Sequence, residues 1–312
     1  MVISHADMWP LTTFSVCGRK VEMTTRLTPQ TRKKLIEVGE ALDIDEQLAV
    51  GFGGEVFANS LEERADHAKR ECEGPPGREG SQRWAGQGAG PRQETGPREA
   101  SRFGSGSLGE HYRLSQDAVI QRYNAEFIAA GAGLWVIAPS SPLGADGPQF
   151  HLAVALPYAK AKKPAAWAFS KLGSFPKLVG PRHTNFPDHS ICAYGPNDGA
   201  WDPSDGIRPL LNLYSTWLFR HLYLAEKKVW PGRQWGASAL YRRTEFHPEE
   251  WCGCGRSNRY KDCCMTADLL VPDDLARTQH FEALGSHYSA RKPPKEIMYF
   301  ARSNWNKIPR IG

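Results

Sequence analysis

The pattern of apolar and polar positions predicts a short helical region at the start of the chain. Thr28-Pro29 is typical of a helix N-terminus, because threonine caps a first turn and proline fits within it. The apolar residues that follow recur every three or four positions, as on one face of a helix: Leu35, Val38 and Leu42. A capping-box pattern at Ser60 predicts a second short helix over 61–69. We therefore assign residues 1–71 to a small N-terminal helical region.

This pattern stops between residues 72 and 110. The segment 72–109 contains ten glycines and four prolines, and its large apolar residues are limited to Trp84, Phe103 and Leu108. Such a composition cannot bury enough apolar surface to offset the entropy lost on ordering. We predict that residues 72–110 form a disordered linker rich in Gly, Pro and Arg.

The longest patterned region, 111–240, predicts a helix, a meander of strands, a loop and a second helix. Ser115 can cap the first helix, which is predicted to end at Gly131. The apolar residues on one face of that helix are Val119, Tyr123, Phe127 and Ile128. Short apolar segments bounded by Gly and Pro predict strands at 134–138, 150–156 and 165–170, with the remnant of a fourth at 178–179. This order of elements is typical of an α+β domain.

The second helix is apolar and aromatic over most of its surface. Its apolar residues run from Ile207 to Ala225, and Pro231-Gly232 is predicted to end it. A helix of this composition is either buried on most sides or forms an interface between chains, as in a homodimer.

Composition and charge narrow the class of protein. The net charge is +5, from 39 basic and 34 acidic residues, which is too weak a bias to indicate nucleic-acid binding. No apolar run is long enough to span a bilayer, and the first twenty residues lack the apolar core of a signal peptide. The seven cysteines are an odd number without a secretory context, which argues against a disulfide framework. We expect a cytoplasmic protein without a membrane partner.

Cys192 lies in the polar loop that precedes the second helix, in the segment 183–194, which reads HTNFPDHSICAY. An isolated cysteine is more often a small buried hydrophobe than a reactive group. Here its neighbours are Pro, Asp, His and Asn, which favour an exposed loop, and a reactive cysteine must be accessible to its substrates. A cysteine on a rigid support, beside donors for an oxyanion, suits acyl transfer.

Four further cysteines fall within thirteen residues: Cys252, Cys254, Cys263 and Cys264. A pair separated by one residue is followed by an adjacent pair, and the glycines between them allow the backbone to turn. Four thiolates at this spacing can complete a tetrahedral shell around Zn(II), and a shell made only of protein thiolates is a closed, structural site. Two disulfides are the alternative, which the cytoplasmic expectation disfavours.

The cluster resembles the SEC-C motif, in which a cysteine pair, glycine, serine, basic residues and Tyr-Lys lead to a second cysteine pair. We assign residues 245–268 to this zinc-binding motif and residues 269–312 to a C-terminal tail without recognisable chemistry. The basic residues of the motif either bind an acidic partner or form a solvated face: Arg256, Arg259 and Lys261.

The surroundings of Cys192 resemble the ubiquitin-conjugating enzymes. The tripeptide 183–185, nine residues before the cysteine, is similar to their His-Pro-Asn signature, with Thr184 in place of the proline and a shorter interval to the cysteine. Other positions are closer still to the prokaryotic ubiquitin-conjugating-like proteins of CBASS antiphage systems: 190–194, 196–198, Trp201, 217–218, 223–225 and 229–232. This resemblance covers roughly residues 112–236. It implies a ubiquitin-conjugating-like fold with an N-terminal helix, an antiparallel β-meander, an active-site cysteine loop and C-terminal helices.

The resemblance also implies a function and roles for three residues. Cys192 would accept the C-terminal carboxyl group of a partner protein as a thioester and pass it to an amine. Asn185 would stabilise the oxyanion, and His183 would hold the loop. In CBASS the implied cargo is a cyclic-nucleotide synthase. No Gly-rich nucleotide loop follows a strand in this chain, so a separate activating enzyme loads the cysteine or the system lacks an activator.

Two other functions remain open from the sequence. In a cysteine hydrolase, His183 or His189 would serve as the base for Cys192. In a catalytically silent adaptor, the conjugating-enzyme fold and the zinc motif would recruit a protein or RNA.

Overall fold

The structure is a computed structural model. It describes residues 27–44, 48–58, 112, 116–159, 162–170, 176–194, 200–236, 238–284 and 291–311. The predicted helix over 61–69 and the predicted linker over 72–110 therefore lie outside the described residues.

The described residues form seven α-helices and seven strands. The helices are α1 (Pro29–Ile44), α2 (Gln116–Tyr123), α3 (Ile207–Lys227), α4 (Ala239–Glu245), α5 (Met265–Leu270), α6 (Asp273–Leu284) and α7 (Lys295–Arg302). The strands are β1 (Leu48–Val50), β2 (Val56–Ala58), β3 (Glu126–Ala129), β4 (Gly133–Ser140), β5 (Phe150–Pro157), β6 (Ala165–Ser170) and β7 (Lys177–Leu178). Short 3-10 turns occupy Pro203–Asp205 and Tyr260–Asp262.

Strands β3 to β7 form one antiparallel sheet in which each strand pairs with the next along the chain. Strands β1 and β2 form a separate hairpin. Strands β4 and β5 are apolar along nearly their whole length because both faces of the sheet are covered. The predicted meander and the mixed α+β class are thus confirmed.

The two faces of the sheet support different cores. In β4, Val136 and Ala138 pack into the main core with α1 and α3. Trp135 and Ile137 point to the opposite face, where α7 supplies the covering side chains. The apolar surface of α3 is buried within the chain, and six of its apolar side chains are almost fully enclosed: Ile207, Leu210, Leu211, Tyr214, Leu218 and Phe219.

The helix predicted from Ser115 to Gly131 was wrong in its second half. Helix α2 ends at Tyr123, Asn124 adopts a left-handed conformation, and the chain reverses into β3. Phe127 and Ile128 pair with Val136 and Trp135 of β4 instead of extending a helical face. The hydrogen bonds available at the edge of the sheet override the helical spacing of these residues. Helix α3 likewise ends early, at Lys227, where Lys228 is a left-handed cap.

The N-terminal region packs directly on α3. The backbone N–H of Val50 donates to Thr216 Oγ1 (3.0 Å), and Ser215 Oγ donates to the Gly51 carbonyl (2.8 Å). Gly39 of α1 lies against the ring of Tyr223 so closely that a Cβ atom at this position would overlap the ring. Residues 27–44 and 48–58 therefore belong to the main core of the protein.

The segment 269–312, interpreted from the sequence as a tail, contains α6 and α7 in its described residues. The backbone N–H of Ile311 donates to the Ala130 carbonyl (3.1 Å), and Trp135 Nε1 donates to the Pro309 carbonyl (2.8 Å). These bonds fix the end of the chain on the edge of the sheet. Among the described residues, no helix has the length and apolar character that crossing a membrane requires.

Candidate functional site

A closed loop follows β7 and ends at Cys192; we name residues 180–192 the cysteine loop. Thr184 and Ile191 form an antiparallel bridge across it. Within the bridge, the Asn185 N–H donates to the Ser190 carbonyl (2.7 Å) and the His189 N–H donates to the Asn185 carbonyl (3.0 Å). The loop is therefore hydrogen-bonded along its own backbone.

Cys192 has an exposed side chain on a fixed backbone. Its N–H donates to the carbonyl of His183 (2.9 Å), and the preceding Ile191 N–H donates to the Ala166 carbonyl of β6 (2.8 Å). The His183 carbonyl also accepts a hydrogen bond from Trp217 Nε1 of α3 (2.7 Å). An accessible thiol held by the sheet and the buried helix has the placement that a nucleophile needs.

His183 occupies the inner side of the cysteine loop. Its ring centroid lies 4.4 Å from that of Trp230, and its Nε2 atom is 2.9 Å from Gln234 Oε1. Burial lowers the pKa of the imidazole well below its usual value, and the positive charge of Arg182 lowers it further. The ring is therefore neutral at physiological pH.

Asn185 is exposed and braces the loop with its own side chain. Its Nδ2 atom donates to Ser190 Oγ and to the carbonyl of Ile191, each at 3.1 Å. An amide group has two N–H bonds, so both are engaged in this arrangement. Donation to an oxyanion on Cys192 would require one of them to break. The structure thus brings the three predicted catalytic residues into one loop, with Asn185 bonded to the residue before the cysteine.

Sequence reasoning missed a buried ion pair beneath this loop. Arg182 Nη1 donates to Glu250 Oε1 (2.9 Å), and Arg182 Nη2 bonds both Glu250 Oε2 and Gln234 Oε1. Glu250 is fully buried, and the guanidinium also lies over the rings of Trp230 and Phe246. The partners are 52 to 68 positions apart, so no local pattern signals them.

The C-terminal part of the chain holds the cysteine loop from the other side. Arg291 Nη1 donates to the carbonyl of Pro181 (2.9 Å) and to Glu245 Oε1 (2.8 Å), and its guanidinium stacks over the ring of Phe186. The N–H of Lys292 donates to the carbonyl of Pro187 (2.8 Å). The loop is therefore supported by α3, by Glu250 and by residues 291–292.

The four clustered cysteines converge on one point. Their sulfur atoms all lie within 4.8 Å of one another. The Sγ atoms of Cys254 and Cys263 are 3.5 Å apart, and those of Cys263 and Cys264 are 3.8 Å apart. A tetrahedral shell with Zn–S bonds of about 2.3 Å places sulfur atoms about 3.8 Å apart. The geometry therefore fits a single metal ion held by four thiolates.

Contacts around the cluster hold the four sulfurs close together. We name residues 236–268 the cysteine module. Gly253 has φ +68°, and a Cβ atom there would lie 2.7 Å from the ring of Phe246. Arg242 bonds both carboxylate oxygens of Asp268 and the carbonyl of Gly236. The apolar cluster around the sulfurs is small, and its buried members among the described residues are Phe246, Cys252 and Tyr260.

Two of the basic residues that suggested an acidic partner are already paired. Arg259 bonds the carboxylate of Asp43 at the end of α1 (2.6 Å), and Lys261 bonds Glu249 (2.9 Å). Asp43 also accepts a hydrogen bond from the Gly232 N–H, and its carbonyl accepts one from Trp251 Nε1. Arg259 therefore helps to join the cysteine module to α1.

Acidification should destabilise the protein through the buried histidines. His221 donates from Nε2 to the Arg182 carbonyl (2.8 Å), and burial lowers its pKa to about 3. Below about pH 6.5, the pKa of histidine in an unfolded chain, the unfolded state binds a proton that the folded state does not. The stabilisation is complete above pH 6.5 and decreases as the pH falls towards 3, by about 1.4 kcal/mol per pH unit for each such histidine.

Urea unfolding between pH 7.5 and 4.5 measures this dependence. The His221→Gln variant keeps a side-chain N–H for the Arg182 carbonyl. Its unfolding free energy should depend less steeply on pH, because the contribution of one histidine is removed. A slope that His221→Gln does not reduce would contradict the assignment.

Comparisons with models of known protein families, with curated proteins and with solved structures found no match to this chain. The functional conclusion therefore depends on the geometry of the site and on the resemblance of its sequence motifs.

Proposed function

We propose that the protein is a ubiquitin-conjugating-like acyltransferase that carries the C-terminus of a partner protein on Cys192. The observation that supports this proposal most is the placement of the cysteine. Cys192 is exposed, its N–H is bonded to His183, and it lies where an antiparallel meander gives way to a buried helix. The order of meander, cysteine loop and buried helix agrees with the resemblance to ubiquitin-conjugating enzymes.

The proposed reaction has two steps, loading of the Cys192 thiol and transfer of the acyl group to an amine. The thiolate of Cys192 attacks the carbonyl carbon of an activated protein C-terminus, a C–S bond forms, and the activating group leaves. An amine then attacks the thioester, a C–N bond forms, the C–S bond breaks, and the thiol is regenerated. An activating enzyme supplies the activated carboxyl group in the first step. From the resemblance, the cargo is a cyclic-nucleotide synthase and the setting is antiphage defence.

The low basicity of the nearby histidines favours a carrier over a cysteine hydrolase. A hydrolase needs an imidazole base to deprotonate the cysteine. Burial lowers the pKa of His183 well below its usual value, which makes it a weak base. Burial lowers the pKa of His189 as well.

We further propose that the metal of the four cysteines is Zn(II) with a structural role. Cys252, Cys254, Cys263 and Cys264 would supply all four ligands, which leaves no position for a catalytic water. Zinc would stabilise the thiolates and the fold around them. Cysteine thiolates favour zinc over magnesium or calcium, which prefer oxygen ligands.

Intact-mass spectrometry under non-reducing conditions tests the carrier role. The full chain is produced together with its genomic neighbours, and an adduct on Cys192 that hydroxylamine removes is expected. The Cys192→Lys variant should trap the same cargo as a stable amide. Variants of the two other cysteines outside the cluster, Cys17→Ser and Cys72→Ser, serve as controls and should retain the adduct. Absence of an adduct with the activating partner present would favour the adaptor function.

A further inference from the structure

Gln234 connects the cysteine module to the cysteine loop. It lies two residues after Pro231-Gly232, in the link between α3 and α4. Its Oε1 atom accepts a hydrogen bond from Arg182 Nη2 (2.8 Å) and lies 2.9 Å from His183 Nε2. Its Nε2 atom donates to Glu250 Oε2 (2.9 Å) and to the carbonyl of Trp251 (3.1 Å). One amide group thus bonds two residues of the loop and two of the module.

The partners of this amide determine which way it points. A carboxylate and a carbonyl can only accept hydrogen bonds, so the nitrogen of Gln234 must face Glu250 and Trp251. The oxygen must then face Arg182, which can only donate, and His183. Because this oxygen accepts, His183 Nε2 carries the proton, and the neutral ring has its lone pair on Nδ1. Gln234 therefore selects the tautomer of His183.

The same contact acts on the backbone of Cys192. His183 has φ +49°, a left-handed conformation that is unfavourable for a residue with a side chain. In this conformation its carbonyl accepts hydrogen bonds from the Cys192 N–H and from Trp217 Nε1. The ring of His183, fixed by Gln234 and packed on Trp230, helps to hold that conformation.

We propose that Gln234 is a positioning residue that couples folding of the cysteine module to the backbone position of Cys192. It does so by fixing the tautomer and the backbone conformation of His183. The contacts of Gln234 do not depend on the carrier function. Their consequence rests on the proposed function: folding of the module holds the acyl-accepting thiol of Cys192 in place. Gln234 does not touch the reacting atoms. Its effect on Cys192 passes through one side chain and one carbonyl group.

The Gln234→Met variant tests this inference, because methionine has a similar length and cannot form the four hydrogen bonds. Two measurements test the effect of Gln234 on His183 and Cys192, and neither requires a cargo protein. Nitrogen-15 NMR reports the tautomer of His183, assigned with a His183→Gln variant, and hydrogen exchange reports the Cys192 amide. In the wild-type protein we expect the Nε2–H tautomer. In Gln234→Met we expect a mixture of tautomers and exchange of the Cys192 amide at least about tenfold faster.

The neighbouring residue provides the matched control. Arg233 bonds Ser257 Oγ (2.9 Å) and lies over the ring of Trp251, both in the cysteine module. Arg233→Ala should therefore leave the His183 tautomer and the Cys192 amide unchanged. Metal content and circular dichroism show whether each variant is folded. If Gln234→Met does not fold, the tautomer of His183 in the wild-type protein still tests the inference, because the Nδ1–H tautomer would contradict it.

Three results would overturn the inference. These are an Nδ1–H tautomer in the wild-type protein, unchanged exchange at Cys192 in Gln234→Met, or faster exchange throughout β4 and β5, which would mark a general loss of stability. The carrier function is tested separately by the adduct on Cys192. If no adduct forms but the tautomer and exchange change as expected, the carrier function fails and the coupling stands.

Discussion

Removal of the proposed zinc ion should lower the melting temperature by more than about 10 °C, because the cysteine module has little else to stabilise it. Its buried apolar cluster consists of three side chains, and without the metal its four cysteines would be free thiols that no longer tie the backbone together. In small zinc-binding folds the metal supplies on the order of 10 kcal/mol of folding free energy. Loss of the module would also remove Glu250 from Arg182 and Arg259 from Asp43, so the effect should extend to the cysteine loop and α1.

Thermal melting with and without a strong chelator measures this effect. If the metal is zinc as proposed, about one zinc ion per chain should be released on unfolding. The Cys254→Ala/Cys263→Ala variant should behave as the chelated protein does. Cys192→Ser is the control, because that side chain is exposed and lies outside the cluster, and its melting temperature should be unchanged. An unaltered melting temperature after complete chelation would exclude a structural role for the metal.

Replacement of Glu250 by alanine should destabilise the protein by about 3–5 kcal/mol, the usual result of leaving a buried charge unpaired. Glu250 is fully buried, and its carboxylate accepts hydrogen bonds from Arg182, from Gln234 and from the Trp230 N–H. Without it, the guanidinium of Arg182 would keep its stacking on aromatic rings but lose its counterion. The cost arises mainly from the remaining charge, so the double variant Arg182→Met/Glu250→Leu should be less destabilised than Glu250→Ala.

Urea unfolding at neutral pH compares these variants with a control from the adjacent position. Glu249 is exposed and pairs with Lys261 at the surface, so Glu249→Ala should produce no measurable change. If Glu250→Ala proved as stable as Glu249→Ala, the buried ion pair would not be formed in solution.

The features predicted correctly from the sequence were those with a local cause. Strand β6 occupies Ala165–Ser170 as predicted, because an apolar segment after Pro164 has no helical spacing to compete with it. The cysteines of the cluster converge because their spacing of one, eight and zero intervening residues already confines the sulfurs. Phe127 and Ile128 were assigned to a helix because their spacing from Tyr123 is helical, and only their pairing with β4 shows otherwise.

The support of Cys192 was not predictable in this way. Gln234 and Glu250 lie in stretches with no repeating pattern, and a glutamine after a Pro-Gly step reads as an ordinary surface residue. Their importance comes from contacts with Arg182 across 52 and 68 positions of the chain. Asn185 was expected to face an oxyanion, but its two N–H groups close the loop that carries the cysteine.

The packing of the N-terminal region on α3 has a consequence for synthesis of the protein. Val50 is bonded to Thr216, which the ribosome adds 166 residues later. At about 5–20 residues per second, this interval lasts about 8–33 s. Throughout that time the apolar faces of α1 and the β1–β2 hairpin have emerged, while the helix that covers them has not. Helix α1 and the β1–β2 hairpin are therefore translated long before they can be buried, and we expect them to be exposed to chaperones in that interval.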